Sequence, residues 1–302
     1  AASYVRRRAG EGPLVLDGRS LETLEVGVDG VTLGPDGYEL TDRSLTIPLS
    51  GGVGDRHVVH TRVAVRPGSP GDKGVVAQPR LISTNCEPEG FRRITWSLDR
   101  PSQRATFDVT LVADPTEYRT LLCNGDLVER HDLPDGRHSA RFVDPVTKPT
   151  YLFALVAGDL DVGSAPYTTR SGRPLELRVA APPEQIGGAD FALRTMATAI
   201  AFDEQMGGTE HDLDTLTFVA LPGYPDATEY HGLMFFDSSL LVVDQRGWSD
   251  DALLLIMANI AHEYGHHVRG NRITVRSWGQ LALKEGLTVL MGQNDTRRHW
   301  FG

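Results

Sequence analysis

Cysteine is scarce in this sequence: Cys86 and Cys123 are the whole supply in 302 residues. Two are too few for a disulfide framework, so the expectation is a pair of reduced thiols in a cytoplasmic protein. No charged segment followed by an apolar one opens the chain, so no export signal is visible. Long hydrophobic runs are also missing. The longest, residues 252–261, is about half of the ~20 residues that a bilayer-spanning helix needs, and it ends in charge. Nor is there a basic excess: 30 Lys and Arg stand against 40 Asp and Glu, a formal charge of −10. A phosphate-backbone binder would normally be basic, so neither nucleic acid nor a membrane is expected as a partner. Collagen-like, coiled-coil and disordered classes are excluded by 40% hydrophobic residues with 32 Gly and 18 Pro.

What is present falls into two grammars. Up to about residue 161, short runs near period two alternate with turn dipeptides such as Asp29-Gly30, Asn124-Gly125 and Asp135-Gly136. Residues 151–156 form a continuous apolar run, as expected of a buried strand. This predicts an all-β, sandwich-like domain over 1–161. Beyond it, residues 189–206, 250–268 and 280–292 carry helical spacing, and 213–221 and 233–243 read as strands. The mixture predicts an α+β domain over 162–302.

The sharpest chemistry is His262-Glu263-Tyr264-Gly265-His266 in the strongest helix. Four residues advance about 400° and ~6 Å, so both imidazoles leave one face at neighbouring turns. That spacing suits two neutral histidines on one zinc, at about 2.0–2.1 Å each. Glu263 is rotated off the pair and is the candidate general base. Eighteen residues separate His266 from Glu285, which lies in another predicted helix and would complete a His₂Glu ligand set. Three protein ligands with an open fourth position is the catalytic zinc pattern. The plainer alternative is a helix of solvated histidines with Glu263 in surface ion pairs. His267 points to a different face and reads as a surface histidine or one behind the ligands. Asn271 reads as a helix stop after Gly270.

His262–His266, with Glu285 in Lys-Glu-Gly-Leu-Thr, resembles the aminopeptidase N family of zinc metallopeptidases, the gluzincins. Glu89-Gly90-Phe91-Arg92, Leu98-Asp99-Arg100-Pro101 and the stretch from Lys148 to Asp159 resemble the β-domain of its bacterial subgroup. Thr168-Thr169-Arg170-Ser171-Gly172-Arg173 resembles the start of that family's catalytic domain. The resemblance runs over nearly the whole chain. It implies a β-sandwich followed by a thermolysin-like zinc domain. The family's substrate loop, Gly-x-Met-Glu-Asn, falls on residues 226–230, where Glu229 keeps the glutamate that holds a substrate's α-amine and Tyr230 replaces the asparagine. A Gln-x-Glu stretch falls on Asn85-Cys86-Glu87, so Glu87 would be the second amine anchor beside Asn85. A desolvated ammonium needs such partners.

Departures are equally visible. Asp226 and Thr228 also replace the loop's glycine and methionine, and no tyrosine follows Glu285 in the seventeen remaining residues, where the family carries its transition-state tyrosine. The chain reads as incomplete relative to the family, with Tyr224, Tyr230, Tyr264 or a partner chain as possible substitutes. The leading expectation is zinc-assisted hydrolysis of a peptide or amide bond in a small or specialised substrate with a free amine. The alternatives are another zinc-assisted reaction on a small metabolite, such as epoxide opening, or a non-catalytic or partner-dependent zinc module. Trp300 and Phe301 suggest apolar surface for a homodimer.

Overall fold

A computed structural model describes residues 2–5, 12–49, 54–242 and 248–301. The first half is built of antiparallel strands, as the turn dipeptides predict. One four-stranded sheet holds Ala2–Val5, Arg56–Val65, Leu21–Val28 and Val31–Thr32, and it faces the strands Leu14–Asp17, Ser44–Ile47 and Glu39–Leu40. Leu16, Leu45 and Ile47 from one layer meet Val26 and Val59 from the other around Trp96. Two further sheets follow. One pairs Gly74–Gln78, Leu81–Asn85, Leu155–Gly158 and Thr120–Cys123, and the other pairs Ala105–Ala113, His138–Lys148 and Asp126–Asp132. Cys86 and Cys123 are buried free thiols.

The second half is organised by a five-stranded mixed sheet. Its strands are β1 (Asp161–Thr168), β2 (Pro174–Ala181), β3 (Thr215–Leu221), β4 (Ala227–Thr228) and β5 (Leu233–Asp237), in the order β1-β2-β3-β5-β4. β2, β3 and β5 run parallel, and the outer strands are antiparallel to their neighbours. Three helices accompany it: α1 (Ala189–Gly207), α2 (Asp250–Gly265) and α3 (Leu281–Phe301).

Alternation along β3 and β5 explains how the halves join. Phe218, Ala220, Met234 and Phe236 face Met196 and Ile200 of α1 and Ile256 and Ile260 of α2. Val219, Leu221, Leu233 and Phe235 face Leu121, Phe142 and Val156 of the β-half. A strand covered on both faces reads as a continuous apolar run, which is what these segments are. The sheet is therefore the middle layer of a β-half, sheet and helix stack.

Local expectations shift in four places. The run at 151–156 is not one strand: Thr150–Leu152 makes a 3₁₀ turn, and the strand begins at Leu155. The turn lets the Tyr151 hydroxyl reach Thr274 at 2.6 Å. The strand predicted over 233–243 ends at Asp237, whose carboxylate accepts from the Ser239 N–H, while Val243 lies outside the described residues. The helix predicted to reach Val268 ends at Gly265 and passes into a π turn at His267–Arg272, where Arg269 and Gly270 leave helical φ/ψ. α3 runs through Gly292 to Phe301, and the side chains of Trp300 and Phe301 lie outside the described set. Among the described residues no helix is long and apolar enough to cross a membrane.

Candidate metal centre

α2 begins with Ser249, whose hydroxyl accepts from the Ala252 N–H, and Asp250 and Asp251 sit favourably in its first turn. Ile256, Ile260, Ala261 and Tyr264 bury one side of α2 in the helix-facing core. His262 and His266 are left to meet α3. The two helices approach closely because small residues stand at the crossing. A Cβ on Gly292 would come 3.2 Å from the His262 backbone nitrogen, and one on Gly265 would come 3.3 Å from a Thr288 methyl.

This crossing brings the three expected ligands together. The Nε2 atoms of His262 and His266 lie 3.0 Å apart, and Glu285 Oε2 lies 3.3 Å from the first and 3.4 Å from the second. A triangle of this size leaves a point about 2 Å from each donor, the distance that zinc takes to imidazole and carboxylate. The site is open on one side, with Glu285 at 40% side-chain exposure and His266 at 1%. His266 Nδ1 lies 3.1 Å from the Arg269 carbonyl and 3.1 Å from the Thr288 hydroxyl. A carbonyl only accepts, so Nδ1 carries the proton and Nε2 keeps its lone pair for the centre. Thr288 sits one turn beyond Lys284 and donates to its carbonyl at 2.9 Å. Burial alone would raise the Glu285 carboxyl, but the neighbouring His262 and His266 rings and the Lys284 ammonium bring it well below its ordinary value.

Glu263 is buried beside this triangle, with one carboxylate oxygen, Oε2, lacking a hydrogen-bond partner. Burial first, then the Glu229 carboxylate, pushes its carboxyl well up. An orphaned buried carboxylate oxygen next to three convergent donors fits a bound cation with its water.

Glu87 and Glu229 also converge, and they already hold a cation. Lys284, on α3 next to Glu285, is nearly fully buried and donates to Glu87 Oε1 at 2.6 Å. Its Nζ pairs as well with Glu229 Oε1, lies 3.1 Å from Glu285 Oε1 and sits 5.5 Å over the Tyr151 ring. Burial and the Glu229 carboxylate raise Glu87 to about 7 despite the lysine. Burial works against Glu229 too, yet the Lys284 ammonium beside it holds it below its ordinary value. Asn271 donates to the Glu229 carbonyl at 2.8 Å, so it clamps this loop in addition to ending a turn.

Other expected positions differ. Tyr230 does not line an open substrate loop: it is wholly buried, its hydroxyl accepts from the Cys86 N–H at 3.0 Å, and its ring packs on Phe235. An aromatic ring at that position gains more by filling the layer between the two halves. Asn85 is buried with its amide oxygen bound to Lys73 at 2.9 Å. Tyr224 is engaged with Thr228 and Tyr230, and Tyr264 stacks on His267. His267 is no surface histidine: it is fully buried, because the π turn carries it inward.

Similarity to known proteins agrees with this geometry. The Peptidase M1 N-terminal domain model matches residues 73–152 and the Peptidase family M1 domain model matches 191–299, between them more than half of the chain. Aminopeptidase N of Caulobacter vibrioides is 41% identical over 292 residues, covering 96% of this chain and 33% of that protein. Aminopeptidase N of Escherichia coli is 41% identical over 222 residues, covering 73% of this chain and 26% of its own. A crystal structure of Legionella pneumophila aminopeptidase A in complex with aspartic acid superposes with a TM-score of 0.91 at 32% identity, covering 96% of this chain and 34% of that one. This chain thus spans about a third of the length of the relatives it matches.

Proposed function

The chain belongs to the aminopeptidase N family of M1 peptidases, and on that premise we propose that it carries the zinc-dependent hydrolytic centre of an aminopeptidase. The single observation that carries the reading is the donor triangle of His262, His266 and Glu285 with the orphaned Glu263 carboxylate beside it. His262, His266 and Glu285 would hold zinc, which supplies carbonyl polarisation and an acidified water when bound. Glu263 Oε2 accepts the water's proton and returns it to the leaving amine.

Glu87 and Glu229 hold the substrate's α-ammonium. Support comes from Lys284, whose own ammonium these carboxylates already pair. Two acids on one cation fix the amine and so limit cleavage to the first peptide or amide bond. The Legionella relative's complex with aspartic acid, an α-amine, agrees with that class of ligand. We also propose a division of labour between residues 1–161 and 162–302, since the mixed sheet that carries the centre begins at Asp161. The two free thiols favour a reducing, cytoplasmic setting.

The test compares amino-acid anilides with and without an N-acetyl cap, using zinc-loaded protein. Turnover of the free-amine series alone is expected. Equal turnover of capped substrates would remove the amine-anchor role, and turnover of epoxides alone would replace hydrolysis of amides.

A further inference from the structure

A second group of ligand-type side chains lies beyond the centre described above. Asp212 comes from the loop before β3, His231 from the turn before β5 and His267 from the π turn after α2. Their ligand atoms lie within 4.8 Å of one another. All three are enclosed, with side-chain exposures of 9%, 1% and 0%.

The distances are wrong for hydrogen bonds and right for a shared ion. Asp212 Oδ2 lies 3.6 Å from His231 Nε2 and 3.8 Å from His267 Nε2. Neither is a good hydrogen bond. Two donors each about 2.1 Å from one tetrahedral ion would stand about 3.4 Å apart.

Unmet valence points the same way. His231 Nε2, which faces Asp212, has no hydrogen-bond partner although its ring is buried, whereas the unpartnered nitrogen of buried His267 is Nδ1 and not the Nε2 that faces Asp212. His211 stands beside them at 2% exposure, with its ring 4.8 Å from that of His267, and neither of its nitrogens makes a well-formed hydrogen bond. Buried groups of this kind normally find partners.

The surroundings also resemble the outer shell of a metal site. His231 Nδ1 donates to Asp144 Oδ2 at 2.8 Å, which turns Nε2 towards Asp212. A carboxylate behind a histidine is the usual way of orienting such a ligand. Asp144 is itself held by Lys148, and Asp212 is backed by Arg272, so each acid has a cation behind it. His267 Nε2 also contacts the Glu210 carbonyl at 3.2 Å, and ligation through that atom would replace this bond.

We propose that Asp212, His231 and His267 form a second, enclosed site for a zinc-class divalent ion. Imidazoles with one carboxylate favour that class over magnesium or calcium. Its place in the fold gives it a purpose. His231 is two residues from Glu229, and His267 adjoins His266. An ion here would tie the amine-binding loop to the helix that carries the catalytic ligands.

The experiment is metal counting on the chelator-stripped full chain, by calorimetric titration with Co²⁺ and elemental analysis after gel filtration. Two equivalents are expected for the native sequence. A His262→Ala/Glu285→Ala variant should keep one, and an Asp212→Asn/His231→Gln variant should keep the other. Asp144→Asn retains every ligand and should weaken one site about 10–100-fold while leaving the other unchanged. Saturation of the native chain at one equivalent that disappears with His262 and Glu285 would overturn the second site. One equivalent that survives that variant but is lost with Asp212 and His231 would uphold the second site and remove the first.

Discussion

The two histidine–carboxylate clusters share the end of α2 and differ in almost everything else. In the first, His262 keeps 22% and Glu285 40% side-chain exposure, so one side faces solvent. In the second, the ligands are almost wholly enclosed and backed by ion pairs. The contrast separates two uses of the same side chains. A reacting centre needs an open position and a base close by, and on the proposed function Glu263 would be that base. A closed cluster only ties segments together. Replacing Glu263 by Gln gives the largest expected effect and tests this contrast directly. Turnover should fall about 10²–10⁴-fold while the count of bound metal stays the same. If anilide hydrolysis persisted at the native rate, the open cluster would lose its claim to chemistry.

The next effect concerns the buried lysine between the clusters' surroundings. Lys284 is the only group the described contacts give that pairs with both Glu87 and Glu229. Lys284→Met leaves two enclosed carboxylates facing each other, and breaking a buried pair in this way costs roughly 3–5 kcal/mol. Thermal or urea unfolding of the variant should show that loss, and an amine-bearing ligand should recover part of it by replacing the missing ammonium. A variant as stable as the native chain would show that the two acids are not desolvated as the structure has them.

Lys284 also marks the limit of what the sequence makes readable. His262 and His266 are legible because the helical period alone puts them on one face. Glu285 is legible through its distance and its neighbours. Lys284 gives no local sign of its burial, because nothing nearby in sequence shows that Glu87, nearly two hundred residues away, closes over it. The fold divides in the same manner. β3 and β5 announce themselves as continuous apolar runs, but only the assembled stack shows which alternate residues face the β-half. At Tyr230 the sequence is silent, since a polar-tipped ring gives no local sign of whether its tip meets substrate or, as here, the Cys86 backbone. Asp212, His231 and His267 come from three segments with no shared period, so their meeting could not be read at all.

A smaller effect would sharpen the comparison at the backbone. Gly270 lies against His266, and an added Cβ would sit 3.0 Å from its Nδ1. That atom's proton is shared with Arg269 and Thr288, which fix the ring. Gly270→Ala should therefore lower metal affinity at the open cluster about 10–100-fold, the usual cost of disturbing a ligand's support. Competition against a chelator measures it. Unchanged affinity would mean that the ring tolerates the shift.

The smallest effect comes from the far end of α2. Ser249 caps the helix through its hydroxyl, and replacing such a cap by alanine costs about 1 kcal/mol. The loss should appear in unfolding measurements and leave both clusters intact, because Ile256 and Ile260 pin the middle of α2 in the core between the cap and the histidines. A fall in metal affinity at both clusters in Ser249→Ala would mean that the helix moves as one rigid rod. A fall at neither would mean that the core isolates its two ends. The packing favours the second outcome, since the ligand end is held independently by the close approaches at Gly265 and Gly292.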